Sequence, residues 1–341
     1  MKARNDMKKK GVLIKLILVI VLIVGVVQSG IYLLPRLRLD KKGYTKDEIE
    51  TIMDLPDEMQ DELMKTDYVN NVTVWLSVSS QIDRYLDYIA YASFHDQLTS
   101  QEVVETLDMV LDHPEVFVFS ENQNRDHFYE KAAPEMIADY LQSAQQRSLA
   151  DNPESLTLLV GGDNQLSMSY EPGILEACAI ANAEPDEPVS YLAKEANEAL
   201  KQMAEDAAKE GYILLNNSSY RSYFDQADIY DYYADLYGEG YCEHYVATPG
   251  NSEHQTGLAI DLSSRSVQEG TYFVFGDSPD YRWVNEHCYQ YGFIRRYPED
   301  KAEITGSYNE PWHYRYVGLA AAKIIHDNDW ALEEYVAAYG E

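Results

Sequence analysis

The longest unbroken apolar run lies near the start of the chain. From Leu16 to Leu34 there are 19 residues whose only polar members are Gln28 and Ser29. As a helix this run spans roughly 28 Å, close to the hydrocarbon thickness of a bilayer. It predicts a single-pass anchor over residues 12–34 behind a basic segment, 1–11, with Lys15 at the edge and able to snorkel. Val27-Gln28-Ser29 is a poor cleavage site, so a retained anchor is favoured over a cleaved signal peptide. Lys2, Arg4, Lys8, Lys9 and Lys10 precede the span, and Arg36, Arg38, Lys41 and Lys42 follow it. The short leader is expected to stay in the cytoplasm, which puts the rest of the chain outside the cell membrane.

Beyond the span the pattern turns helical. Residues 35–46 are a basic, proline-containing link. Residues 47–66 predict two short helices broken at Pro56, and residues 67–93 continue with Trp75, Leu76, Ile82, Tyr85, Leu86 and Ile89 at helical spacing. A helix over Ser100 to Leu111 follows, capped by Thr99 or Ser100 ahead of Glu102. VFVF at 116–119 and LTLLV at 156–160 read as strands, the latter turning at GGDNQ, and residues 134–149 read as a helix. The clearest helix is 190–209, with Ser190 as its cap and Leu192, Ala196, Ala199, Leu200, Met203 and Ala207 on one face. YILLNNS follows as a strand, residues 281–291 as a helix with Trp283, Val284 and Cys288 inward, and residues 317–339 as mostly helix. Strands and helices mix without a regular βαβ beat, so an α+β fold with a small antiparallel-type sheet is expected. The expected organisation is a juxtamembrane link and mainly helical region over 35–150, then a second domain over 151–341.

Charge sharpens this division. The first 46 residues carry eleven Lys or Arg against two acidic residues, which leaves 16 basic and 56 acidic residues for the rest. So acidic a surface repels phosphate backbones and argues against nucleic acid as a partner. Tyrosine is abundant, at 29 residues against 8 phenylalanines, and suits wet clefts where ring and hydroxyl both find contacts. Cys178, Cys242 and Cys288 make no disulfide framework and no C-x-x-C knuckle.

Two stretches carry candidate chemistry. In PGNSEHQTGLAID, residues 249–261, His254 lies seven positions before Asp261, with Gly257 between them to permit a sharp turn. In NEPWHYR, residues 309–315, His313 enters a strand-like run that would put it on the same side as Arg315. A lone histidine is ordinarily structural, but two imidazoles and one carboxylate form a catalytic zinc set with a position left open. Calcium or magnesium would ask for more carboxylates and fewer histidines. Glu310, three residues before His313, is either a general base for a water at that metal or one solvated acid among 58. In SSYRSYFDQ, residues 218–226, Arg221 is either a salt-bridge partner or a fork for a substrate carboxylate or oxyanion. Ser219, Tyr223 and Gln226 would line the same cleft. A thiol site pairing Cys242 with His244 or His254 has only weak support from spacing.

Taken together, YRSYFDQ at 220–226, TPGNSEHQTGLAIDL at 248–262, WVNEHCYQYGFIRRYP at 283–298, ITGSYNEPWHYRYVG at 304–318 and LEEYV at 332–336 resemble the VanY-type D-alanyl-D-alanine carboxypeptidases, a branch of the M15 zinc peptidases. The resemblance covers about residues 155–338, and VGGDNQLSMSYEP at 160–172 departs from the usual opening of such domains. It implies a hedgehog/D,D-peptidase-like zinc domain, with Zn2+ on His254, Asp261 and His313 and with Glu310 as base. It makes Arg221 the substrate-binding arginine and places Ser252 and Gln226 on the substrate backbone or its terminal carboxylate. The implied substrate is a peptidoglycan stem peptide ending in D-Ala-D-Ala, met at a Gram-positive-type cell surface. An L,D-carboxypeptidase acting on the tetrapeptide stem is the near alternative. An endopeptidase, a non-catalytic zinc-containing wall-binding module and a structural or signalling ectodomain stand further off. The sequence carries no signal of oligomeric state.

Overall fold

A computed structural model describes residues 33–340. The expected anchor, 12–34, falls outside the described residues except at its last two positions, which are helical, as are residues 35–42. Among the described residues no helix is long and apolar enough to cross a membrane. The chain divides into two compact units at Asp108/Met109, some forty residues earlier than the boundary at 150 expected from the sequence.

The described part of the first unit is helical, as its periodicity predicts. Helix α1 (Lys46–Met53) opens with a capping box in which Thr45 and Glu48 satisfy each other's backbone donors. Pro56 ends the connection to α2 (Asp57–Lys65), followed by α3 (Val72–Val78) and α4 (Tyr85–Phe94). Their inner faces bury Ile52, Leu63, Val72, Tyr85, Tyr88 and Tyr91. Asp108 receives hydrogen bonds from both Arg84 and the Tyr88 hydroxyl at 2.7 Å, which satisfies its carboxylate.

The second unit is built on a four-stranded antiparallel sheet in the order β3 (Leu214–Ser218), β4 (Ala259–Ser264), β6 (His313–Tyr316), β5 (Phe293–Arg295). A separate two-stranded ribbon joins β1 (Leu175–Ala177) to β2 (Tyr191–Ala193). This is the expected α+β arrangement with small antiparallel sheets. Helix α5 (Lys194–Lys209) covers the sheet, with Ala196, Leu200, Met203 and Ala207 buried against Leu214, Ile260, Leu262, Phe293 and Tyr314. Helix α6 (Pro279–His287) adds Trp283 and Val284 to the same core. The three cysteines are free.

Three sequence expectations are corrected. The helix expected from Ser190 starts at Lys194, because residues 191–193 are held in the ribbon, and the Ser190 hydroxyl bonds Asn182 instead of capping. LTLLV forms no strand. One of its carbonyls, that of Leu156, is taken by the Arg315 guanidinium at 3.1 Å, and Leu158 drops into a small cluster with Leu166 and Tyr170. VFVF forms no strand either. Its first two N–H groups bond the nearby His113 carbonyl, and the Ser167 hydroxyl donates to Val116 O and accepts from the Val118 N–H. Gln123 likewise donates to Ser169 O, and Phe117 and Phe128 pack edge to face. The segment from 109 to 150 thus belongs to the same unit as the sheet.

Candidate metal centre and active site

The sheet register brings the candidate ligands together. Asp261 on β4 lies between Ser218 of β3 and His313 of β6, its two Cα partners. A register irregularity between Asn216 and Ser218 shifts the end of β3 at this point. His254 comes from a buried 3-10 turn, Glu253–Thr256, that leads directly into β4. Ser252 caps the turn by accepting from the His254 N–H. Gly257 ends it with φ +68, and a Cβ there would stand 3.0 Å from the Ala193 nitrogen, so glycine is required on both counts.

Both imidazoles are oriented from behind. The His254 Nδ1 lies 2.7 Å from Ser219 O, and a carbonyl only accepts, so Nδ1 carries the proton and Nε2 is left with its lone pair. That Nε2 faces Asp261 Oδ2 at 3.5 Å. His313 Nε2 lies 3.3 Å from Glu253 Oε2, while its Nδ1 faces Asp261 Oδ1 at 3.0 Å and Glu310 Oε2 at 3.7 Å. One ligand atom from each of His254, Asp261 and His313 lies within 4.8 Å of the others. Two nitrogens and one carboxylate oxygen, with each outer imidazole nitrogen held by a carbonyl or carboxylate, fit a zinc ion.

The charges follow from burial and pairing. Burial, aided by the nearby Arg221, draws His254 down to about 4, so it is neutral and able to ligate at neutral pH. Burial also works against a charge on His313, but its hydrogen bonds to Asp261 and Glu253 outweigh it and hold the ring at about 9. A metal ion entering the site must therefore displace a proton from His313. Asp261 is largely buried, which would raise it, yet its two histidines keep it well below the usual carboxylate range. Burial pushes Glu310 up, partly offset by His313, which suits a group that must take and return a proton.

Arg221 is not a structural salt bridge. Its Nε donates to Gln226 Oε1 at 3.0 Å, a terminal nitrogen donates to the Ser218 hydroxyl, and its backbone N–H bonds His254 O. Among the described residues it makes no ion pair. Burial lowers its pKa while Asp261 and Glu310 raise it, and guanidinium remains charged. Gln226 is itself anchored, since its amide also donates to Ala247 O at 2.7 Å, so it fixes the arginine. Ser219 contributes its carbonyl to His254, and its buried hydroxyl has no partner among the described residues. Tyr223 is half-buried and packs edge to face on Tyr140 and Phe224.

Sequence reasoning missed Glu253. It is buried and binds Arg296 Nε at 2.7 Å, Arg315 at 3.2 Å and His313 at 3.3 Å. Arg296 continues to Glu333 at 2.6 Å, on helix α7 (Leu332–Tyr339). Burial would raise Glu253, but the two arginines and His313 hold it well below the usual range. The available signal was the strand alternation that puts Arg315 beside His313, a buried cation in need of an anion.

Three side chains that fit a metal ion, a carboxylate beside them and an arginine with no ion pair among the described residues are the parts that a single-metal peptidase acting at chain ends would need. The sequence profile described as "VanY: D-alanyl-D-alanine carboxypeptidase" matches residues 189–319. A putative carboxypeptidase, YodJ, of Bacillus subtilis is 48% identical over 185 residues, covering 54% of this chain and 68% of the relative. A D-alanyl-D-alanine carboxypeptidase of Enterococcus faecalis is 42% identical over 146 residues, covering 40% of this chain and 52% of its own. Among solved structures, the LdcB LD-carboxypeptidase is 46% identical, with TM-score 0.50, over 55% of this chain and 88% of that one. The chain belongs to the VanY family of D-alanyl-D-alanine carboxypeptidases.

Proposed function

We propose that the protein removes the C-terminal D-alanine from peptidoglycan stem peptides ending in D-Ala-D-Ala. The observation that carries this reading is Arg221, a half-buried guanidinium without a carboxylate partner among the described residues, held beside the candidate metal ligands by Gln226 and Ser218. Such a fork takes a free C-terminal carboxylate and selects for the last residue of a peptide. A zinc ion held by His254, Asp261 and His313 would supply Lewis acidity toward water and the scissile carbonyl. Glu310 takes a proton from the attacking water and returns it to the departing amine of D-alanine. Glu253 and Ser219 keep the two imidazoles turned so that their inner nitrogens face Asp261.

A second reading is favoured by the likeness to the LdcB LD-carboxypeptidase. The same constellation would then cut the single D-alanine from a tetrapeptide stem, with selectivity lying in the pocket for the preceding residue. Zinc-loaded protein incubated with pentapeptide and tetrapeptide stems, with products read by mass spectrometry, separates the two. D-alanine released from the pentapeptide alone supports the D,D reading, and release from the tetrapeptide alone overturns it in favour of the L,D reading. The run from Leu16 to Leu34 supports placing the enzyme at the cell membrane, with the catalytic unit outside. Protease shaving of intact cells that leaves the catalytic unit uncut would refute this placement.

A further inference from the structure

The helices Tyr223–Tyr237 and Glu239–Tyr245 form a hairpin whose outer face is a continuous run of tyrosine rings. Tyr233 stacks on Tyr237 and on Tyr241 at 6.1 Å between ring centroids, and Tyr237 meets Tyr241 at 4.8 Å. Tyr241 then meets Tyr245 at 4.8 Å, and Tyr245 stacks on Tyr308 at 5.4 Å. Tyr237, Tyr245 and Tyr308 are each about 60% exposed. Both ends of the run lie near candidate site residues. Tyr308 is two residues before the candidate base Glu310, and Tyr233 at the other end is near enough to bear on the charge of Arg221.

The fold does not need these rings outside. Exposed aromatic surface joined to a cleft marks a binding face, and tyrosine offers a rigid apolar face with a polar tip at low entropic cost. The charges beside it limit the occupant. Asp231, Asp235 and Glu239 are exposed on the same hairpin and would repel a phosphate-bearing polymer or an anionic lipid surface. Carboxylates interleaved with flat rings suit a neutral polyol, whose C–H faces lie on the rings and whose hydroxyls donate to the acids.

We propose that this tyrosine run is a subsite for the glycan strand, a neutral polymer of N-acetylated amino sugars, so that the enzyme acts on stem peptides still attached to their polysaccharide. The proposal rests on the peptidoglycan reading of the catalytic site. The test uses the full-length, zinc-loaded protein and two substrates, a free stem peptide and intact peptidoglycan bearing the same stems. In the double variant Tyr237→Ser/Tyr241→Ser, release of D-alanine from free peptide stays within about twofold of wild type, while release from the polymer falls about tenfold, the scale of losing two aromatic contacts. The double variant Tyr237→Phe/Tyr241→Phe, which keeps the ring faces, restores polymer turnover to within about threefold. Equal loss on both substrates, or none on the polymer, overturns the proposal. So does a wild-type dimer in light scattering that the serine variant abolishes, which would assign the face to a second copy. Cosedimentation with insoluble chitin, a neutral polymer of N-acetylglucosamine, decides the subsite separately: wild type that cleaves neither substrate but still sediments with chitin refutes the catalytic reading and leaves the subsite standing, whereas wild type that does not sediment overturns it.

Discussion

Replacing Glu253 with glutamine tests the network behind the metal centre. The substitution keeps shape and removes one buried negative charge that three cationic or hydrogen-bonding groups share: Arg296 at 2.7 Å, Arg315 at 3.2 Å and His313 at 3.3 Å. Arg296 would retain Glu333, whereas Arg315 would keep only carbonyl partners. Removing one partner of a buried ion pair costs about 3–5 kcal/mol, because the remaining charge is stranded away from water. The effect on the metal is separate. A glutamine amide turned toward His313 donates where the carboxylate accepted, and it drives the ring proton to Nδ1, the nitrogen facing Asp261. Loss of such outer-shell support typically weakens metal binding by about 10–100-fold. Competition with a chromophoric chelator reads zinc affinity, and urea unfolding of the metal-free protein reads stability. A folded E253Q protein that binds zinc within twofold of wild type would refute the assigned role of Glu253.

Other predictions follow from the site and its surroundings. Glu310→Gln should keep zinc but lose turnover by about 10²–10⁴-fold, the range of a general base, and wild-type rates would show that another group moves the proton. Arg221→Lys should cut kcat/KM on peptides with a free C-terminus while sparing zinc content, since a single ammonium cannot reproduce the fork; equal kinetics for amidated and free peptides in wild type would show that no carboxylate is bound. The His127–Glu171 pair, at 2.8 Å, raises the His127 pKa against the opposing effect of burial. Its stabilisation is fully present below the unfolded value of about 6.5 and is lost as pH rises through the higher folded value. The stability gap between wild type and His127→Gln should therefore be wide at pH 6 and narrow at pH 9, and a constant gap would exclude this linkage.

The candidate ligands were legible because their chemistry is local. His254 and Asp261 sit on one turn and the strand that follows it, and the strand reading of PWHYRYV put His313 and Arg315 on one side, where both meet Glu253. Glu253 itself was hidden by its neighbours, one acidic residue among 58, with nothing local to say that its partners arrive from residues 296 and 315. The corrected elements share one cause. LTLLV and VFVF have the apolar composition of strands, but some of their backbone groups are met by local turns and others by the side chains of Arg315 and Ser167 from far along the chain. The ribbon over 191–193 likewise depends on a partner near residue 175. Periodicity reports which face is buried and cannot report which distant group satisfies the backbone.

Gln255, fully buried beside His254, donates its amide to the carbonyls of Ser167 and Tyr170. Ser167 is in turn held by Val116 and Val118. The metal-bearing turn therefore leans on residues that lie well outside the stretch its motifs occupy. An excised fragment starting at 151 would keep every candidate ligand along with Ser167 and Tyr170, but would discard the Val116 and Val118 backbone that holds the Ser167 hydroxyl, whereas a cut near 109 keeps both. For recombination between relatives the exchangeable piece is the longer one, and a chimera joined at 150 would pair one parent's turn with another parent's footing.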